Sequence, residues 1–108
     1  MNDFQLIYSE DALRDFDDIF NYIALTLQEK DTAAKLLERL RNEIRGLRQF
    51  PFAYALVEWE PWRSLGLRKL PVNHFIVYYI AEKDSSTVSV LRILYGARNT
   101  EQLFSEYK

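Results

Sequence analysis

The residues best suited to chemistry lie in the second half of the chain, where cations are interspersed with one histidine. Residues 61–108 carry 7 lysines and arginines against 4 acids, a balance of +3, whereas residues 1–60 have a balance of −5. We therefore expect an anionic or nucleic-acid partner to contact the basic half, the acids of the first half being a solvated helical surface. The candidate residues are Arg68, Lys69, His74, Arg92 and Arg98.

Three of these cations lie in predicted strands. Arg68 and Lys69 are adjacent and point to opposite faces of their strand, so that they form either a solvated edge or a contact with a partner. Arg92 stands between two aliphatic residues, which predicts partial burial and pairing with a helix carboxylate, because a buried charge needs a partner.

The other two candidates lie where a strand begins or ends. His74 precedes a strand, and histidine is a residue type that commonly acts as a general base. Without an evident partner, it is better interpreted as a turn or core-edge residue. Arg98 follows the last strand and Gly96. We rank it first for function.

Further candidates for an interface precede residue 63. Arg41, Arg45 and Arg48 are spaced i, i+4 and i+7 and predict a cationic row on one helix, which is either solvated, paired with acids or a protein contact. Trp59 and Trp62 lie in an irregular segment. They form either an exposed aromatic interface or a cover over the end of the core.

Several classes of protein are excluded or disfavoured by composition. The chain has no cysteine and one histidine, which excludes thiolate and paired-histidine metal sites, and we expect no cofactor. The first residues carry early acids and no long apolar run, so no secretion signal is predicted. No stretch has the roughly 20 apolar residues of a membrane span. We expect a cytoplasmic protein without membrane contact.

The first half predicts an antiparallel helical hairpin. The first helix follows Ser9, a residue type typical of N-caps, and its apolar residues recur at helical spacing to Leu27. Asp11, Asp15 and Asp18 are interpreted as lying outside that apolar stripe. The second helix has a similar stripe. Its predicted cap is Asp31 or Thr32, and it closes at Phe50-Pro51.

The remaining elements are short strands separated by turn residues. We predict an α+β fold in which an N-terminal strand and the helical hairpin pack on a three- to four-stranded antiparallel sheet, with a short C-terminal helix. Residues 1–108 form a single domain in this prediction. The predicted strands are Gln5–Tyr8, Leu67–Val72, Phe75–Ala81 and Thr87–Tyr95, and the C-terminal helix spans Thr100–Tyr107.

Four segments carry a family resemblance. GLRKLPVNHFIVYYI and VSVLRILYGARN resemble the two signature stretches of the RelE/ParE toxin superfamily of type II toxin–antitoxin systems. YSEDALRDFDDIFNYI and IRGLRQFP resemble its first helix and the exit of its second helix. The resemblance covers essentially the whole chain in the family's order. It implies a bacterial toxin.

Two activities occur within that superfamily. RelE-like toxins are ribosome-dependent endoribonucleases that cut messenger RNA, whereas ParE-like toxins inhibit DNA gyrase. LPVNHFIVYY and LRILYGARN resemble the ParE branch more closely. The resemblance thus implies a plasmid-stabilisation type of toxin that inhibits gyrase and DNA replication. The alternatives are the ribosome-dependent nuclease and a non-toxic binding module.

The resemblance also indicates which catalytic groups are missing. Metal-free RNA cleavage needs a base, cations for the phosphorane-like transition state and an acid. Arg68 and Arg98 fall where the nuclease branch has a lysine and an arginine, but Phe75 and Phe104 replace a second arginine and a tyrosine. The nuclease's earlier lysine falls near Gly66. Phenylalanine neither donates a proton nor neutralises a phosphate.

The implied partners are a target and a cognate antitoxin, ParD- or RelB-like, through which alone operator DNA is contacted. We expect an apolar groove that the antitoxin's amphipathic tail fills, its acids meeting the basic half. A pI near 5.4 disfavours docking on ribosomal RNA and messenger RNA.

Residue roles follow from these partners. We expect Arg68 and Arg98 to converge from neighbouring strands, and a nuclease would use both together with His74. The expected target contacts are Arg68, Lys69, Arg92 and Arg98, and the expected antitoxin contacts are Arg41, Arg45, Arg48, Trp59 and Trp62.

Overall fold

The computed structural model describes residues 3–96 and Phe104. The predicted α+β architecture is confirmed in these residues, with both helices and all four strands present. The predicted C-terminal helix lies outside them except for Phe104, whose backbone is helical. The elements are β1 (Gln5–Tyr8), α1 (Glu10–Asn21), a π-helical turn (Tyr22–Thr26), α2 (Lys30–Arg45), a 3₁₀ turn (Gly46–Arg48), β2 (Leu67–Val72), β3 (Phe75–Glu82) and β4 (Thr87–Tyr95).

Helix α1 begins where the sequence predicts. The Ser9 hydroxyl accepts a hydrogen bond from the Ala12 N–H (2.9 Å) and so satisfies one of the unpaired donors of the first turn. The same hydroxyl donates to the Leu91 carbonyl (2.7 Å), which joins the start of α1 to β4. Beyond Asn21 the helix widens into the π-helical turn, and the Leu27 N–H donates to the Tyr22 carbonyl (3.1 Å).

The start of α2 differs slightly from the prediction. The helix begins at Lys30, and Glu29 occupies the N-cap position without a side-chain hydrogen bond. The predicted caps, Asp31 and Thr32, therefore lie inside the first turn, where Asp31 still favours the positive end of the helix dipole. The helix ends at Arg45 and is followed by the 3₁₀ turn, shortly before the predicted end at Phe50-Pro51.

The sheet has the order β1-β4-β3-β2. Antiparallel pairing joins β2 to β3 and β3 to β4, as predicted. Strand β1 pairs with β4 in parallel, because the two helices carry the chain across the sheet before β2 begins. The register of β3 and β4 shifts opposite Tyr78, where Leu91 is inserted as a bulge.

Both faces of the sheet are covered. Alternate strand residues, such as Val77 and Tyr79, pack against the apolar stripes of α1 and α2. Their neighbours, such as Tyr78, face the opposite way and pack with Val57 and Phe104 under the irregular segment that follows α2. The sequence predicted only the helical side of this arrangement.

Candidate functional site

A groove of about 720 Å³ lies between α1 and the end of the sheet, and we call it the β4 groove. Helix α1 contributes Asp15, Asp18 and Ile19, and the π-helical turn contributes Tyr22. The strands contribute Arg92 and Tyr95 of β4 and the first residue of β3, a phenylalanine. These side chains come together because α1 packs against β4.

The floor of the β4 groove is an ion pair between α1 and β4. Arg92 donates through Nε to Oδ2 of Asp15 (2.8 Å) and through Nη2 to Oδ1 (3.0 Å). The backbone N–H of Ile93 donates to the same Oδ2 (2.8 Å). The predicted pairing of Arg92 with a helix carboxylate is confirmed, and its positive charge is compensated there.

The position of Asp15 corrects the sequence interpretation. The residue is 6% exposed rather than solvated. It lies three residues after Ala12 and four before Ile19, both buried, and this spacing places all three on one helix face. The helical spacing therefore indicated that Asp15 is buried, but the sequence interpretation placed it on the surface because its side chain is charged.

The rim of the β4 groove is aromatic and acidic. The side chains of Tyr22 and Tyr95 are about half exposed. The Tyr95 ring meets Phe75 edge to face, with 5.8 Å between centroids, which limits the orientations of both. Asp18 is exposed on the α1 side. Sequence reasoning missed these residues as a set, because the two tyrosines are 73 positions apart.

A second groove, of about 480 Å³, lies on the other side of α1, and we call it the β1 groove. Apolar side chains of β1 and α1 form its floor, and α2 contributes Arg41 and Arg45. The guanidinium of Arg41 lies 5.3 Å from the centre of the Phe16 ring, a cation–π contact. Burial raises the pKa of Tyr8, and the positive charges of the two arginines partly oppose that rise.

The β1 groove opens along a sheet edge. Gln5 and Ser9 donate their N–H groups toward β4, to the carbonyls of Ser86 (2.8 Å) and Val90 (3.0 Å). In a parallel ladder the alternate residues point the other way, so the N–H groups of Leu6 and Tyr8 face outward. No described strand or bridge pairs with that side of β1.

The opposite edge of the sheet is covered, and this determines the surroundings of Arg68. Val57 N–H donates to the Leu67 carbonyl (2.9 Å), and Lys69 N–H donates to the Ala55 carbonyl (3.1 Å). Arg68 donates through Nη1 to the Tyr54 carbonyl (2.6 Å). Its guanidinium also lies 5.2 Å from the centre of the Phe52 ring.

Arg68 lies far from the end of β4, and its predicted convergence with Arg98 stays a prediction. Strand β3 separates β2 from β4, and Arg68 pairs with Tyr79, which in turn pairs with Val90, five residues before Tyr95. Strand spacing and rise then put Arg68 roughly 15 Å or more from the end of β4. Arg98 lies outside the described residues.

The remaining candidates are dispersed. Lys69 pairs with Tyr78 and so faces away from Arg68, as predicted. His74 is exposed in the β2–β3 turn, where its carbonyl accepts the Gly96 N–H (2.8 Å). The structure does not bring either into the β4 groove with Arg92.

The predicted antitoxin contacts do not share one surface. Arg48 lies beyond α2 in the 3₁₀ turn, so the predicted row is not continuous, and its side chain donates to the Phe4 carbonyl (3.3 Å) and lies 3.8 Å from the Asp3 carboxylate. Trp59 and Trp62 are half-buried on the far face of the sheet against Phe104. The two tryptophans thus cover the core there.

Residues 3–96 and Phe104 offer no group of three or more histidine, cysteine, aspartate and glutamate residues placed to hold a metal ion. Within the same residues, no helix combines the length and apolarity that crossing a membrane requires.

The fold has counterparts in solved structures. A structure described as the chromosomal ParDE TA system from P. aeruginosa matches with a TM-score of 0.69 at 21% identity, covering 85% of this chain and 95% of that one. A mutant of E. coli toxin RelE in the free state matches with a TM-score of 0.65 at 14% identity, covering 96% of this chain and 93% of that one. The toxin–antitoxin complex RelBE2 from Mycobacterium tuberculosis matches with a TM-score of 0.60 at 15% identity, covering 86% of this chain and 98% of that one. No curated protein sequence matches the chain.

These likenesses define a class of protein, the RelE/ParE toxin fold. The family assignment is narrower. The family described as "ParE toxin of type II toxin-antitoxin system, parDE" matches residues 6–100. The chain belongs to this family and is a toxin of a type II toxin–antitoxin system.

Proposed function

We propose that this toxin inhibits DNA gyrase and thereby DNA replication, and that a cognate ParD-like antitoxin neutralises it. One observation carries the choice of target. Among the described residues lining the β4 groove, the only cation is Arg92, and Asp15 compensates its charge. Phe75, in the same groove, stands where the resemblance places an arginine of the nuclease branch.

That composition does not suit RNA cleavage. A transition state at phosphorus gains charge on its oxygens and needs cations directed at it, and an acid must protonate the leaving group. The β4 groove instead presents a carboxylate and aromatic rings, and Arg68 is held elsewhere by the Tyr54 carbonyl. A gyrase inhibitor needs no proton transfer, only a surface that binds its target.

Purified toxin is expected to inhibit supercoiling by gyrase and to increase gyrase-dependent DNA breaks. Induced cells are expected to filament and to show DNA-damage signalling, and their growth should recover when the antitoxin is co-expressed. Primer extension on messenger RNA is the control for the alternative activity. Codon-linked cuts in several transcripts, with gyrase unaffected, would replace this proposal by the ribosome-dependent nuclease.

Two further residues extend the target test. Arg98→Ala is expected to abolish toxicity while antitoxin affinity stays within about tenfold, roughly 1.4 kcal/mol. His74→Ala is expected to remain toxic, because its exposed imidazole has no proton to transfer in this mechanism. Full toxicity of Arg98→Ala would remove that residue from the proposed contact, and loss of toxicity in a folded His74→Ala would favour the nuclease.

The β1 groove supports the antitoxin part of the proposal. Its floor is apolar, its α2 wall carries Arg41 and Arg45, and it adjoins the open edge of β1. An amphipathic segment with acidic side chains would bury its apolar face there and meet both guanidinium groups. We place the antitoxin contact at this groove rather than at Trp59 and Trp62.

Charge reversal tests the β1 groove directly. The double variant Arg41→Glu, Arg45→Glu is expected to weaken antitoxin binding by at least about tenfold, because two attractive charges become repulsive. Arg39→Glu is the matched control, since Arg39 is exposed on α2 but lines a different surface. Equal antitoxin affinity for the double variant and the control, measured by titration calorimetry, would exclude this groove.

A further inference from the structure

We propose that the β4 groove binds a lysine or arginine side chain, carried on an aliphatic segment of the target protein. The inference rests on the proposed function in one respect, that the occupant belongs to a protein target rather than to RNA. In this proposal, a carboxylate and aromatic rings of the groove bind the cation. The volume of about 720 Å³ falls in the range of ordinary ligand sites, about 300–1,000 Å³.

The charges of the groove favour a cation. Asp15 and Arg92 compensate each other through two hydrogen bonds, so their pair adds no net charge. Asp18 remains as an exposed carboxylate on the α1 side. An incoming ammonium or guanidinium group would pair with it, whereas a phosphate backbone would be repelled by it.

The aromatic rim favours the same occupant. Tyr22 and Tyr95 expose ring surface, which attracts cations and packs against the methylene groups of lysine and arginine. Phe75 holds the Tyr95 ring edge to face. Exposed tyrosines flanking an apolar wall are typical of the residues that dominate the energy of protein interfaces. Ile19 supplies that wall.

The two grooves lie on opposite flanks of α1, so that target and antitoxin contacts are separable. Asp17 lines the β1 groove, and its chain neighbour Asp18 lines the β4 groove. The two aspartates are both exposed and share one helix. They therefore form a matched pair in which only the groove differs.

The experiment compares four folded variants by growth inhibition on induction and by affinity of purified toxin for purified gyrase. Asp18→Lys and Tyr22→Ala are expected to lose toxicity and to weaken gyrase binding by at least about tenfold. Asp17→Lys and Leu25→Ala, the controls for charge reversal and for loss of an exposed apolar side chain, are expected to retain both. Circular dichroism melting establishes that each variant is folded.

The sign of the Asp18→Lys effect identifies the occupant. Tighter binding by Asp18→Lys would mean that the groove receives an anionic group rather than a cation, and unchanged toxicity in both test variants would mean that the groove is unused. Either result overturns the inference. If the wild-type chain fails to inhibit gyrase while both variants lose toxicity, the choice of gyrase is wrong, but the groove still takes part in toxicity.

Discussion

Replacing Asp15 by alanine would remove the acceptor that ties α1 to β4. The carboxylate is 8% exposed at its side chain and accepts three hydrogen bonds, two from Arg92 and one from the Ile93 N–H. After the substitution, the guanidinium would keep its charge but lose both hydrogen bonds to this carboxylate. The Ile93 N–H would lose its acceptor in a buried position.

The magnitude follows from these contacts. Breaking a buried ion pair by removing one partner costs about 3–5 kcal/mol, because the remaining charge stays desolvated. The Arg92 side chain is 21% exposed and can partly rehydrate, which places the loss near the lower limit. We expect Asp15→Ala to lower the free energy of unfolding by about 3 kcal/mol, a large share of the 5–15 kcal/mol typical of a domain.

Urea denaturation measures this loss. The slope of the unfolding free energy against urea concentration is compared between variants, because an unchanged slope shows that only the stability has changed. Asp18→Ala is the control, because Asp18 is exposed on the same helix and its loss should change stability by no more than about 0.5 kcal/mol. Asp15→Ala combined with Arg92→Met should be more stable than Asp15→Ala alone, since the charge that has lost the Asp15 carboxylate is removed as well. A loss below about 1 kcal/mol for Asp15→Ala would refute the reasoning.

Three further substitutions test the packing. Ser9→Ala should cost about 1.5 kcal/mol of unfolding free energy, measured in urea, because the N-cap acceptor and the hydrogen bond to β4 are both lost. Phe104→Ala should lower the urea midpoint and shift tryptophan emission to the red, since Trp59 and Trp62 pack on that ring; an unchanged spectrum would contradict this. Burial raises the pKa of Tyr79 to about 12, so its stabilising contribution is complete below pH 10 and falls by about 1.4 kcal/mol per pH unit up to pH 12. The stability difference between wild type and Tyr79→Phe should therefore shrink over that interval, and a constant difference would contradict the assignment.

The individual elements were predictable from the sequence because their causes are local. Ser9 supplies an N-cap for its own helix, and apolar residues at helical spacing extend from it. The three strands from Leu67 to Tyr95 are separated by turn residues, and β3 and β4 are rich in β-branched and aromatic residues. Their observed limits are the predicted ones except at the end of β3, which extends one residue further, to Glu82. The family signature lies in the same segments.

The candidate site was less predictable, because grooves are made by residues far apart in the chain. Charged residues can be identified from a sequence, so cations such as Arg68 were predicted to contact a partner. In the structure, the Arg68 side chain instead donates a hydrogen bond to a backbone carbonyl. Tyr22 and Tyr95 line one groove, although nothing in the sequence relates them. Proximity of this kind depends on the packing of α1 against β4.

By itself, the sequence determined where α1 and the strands begin, which faces of the helices are apolar, and that the chain belongs with RelE/ParE toxins. The tertiary structure decided the strand order, the parallel insertion of β1 beside β4, and the burial of Asp15 at the β4 bulge. The physical reason is the separation along the chain over which each kind of interaction acts. Capping and periodicity act within one or two turns of chain, whereas a strand pairing or a buried ion pair is selected by the free energy of the whole packed domain.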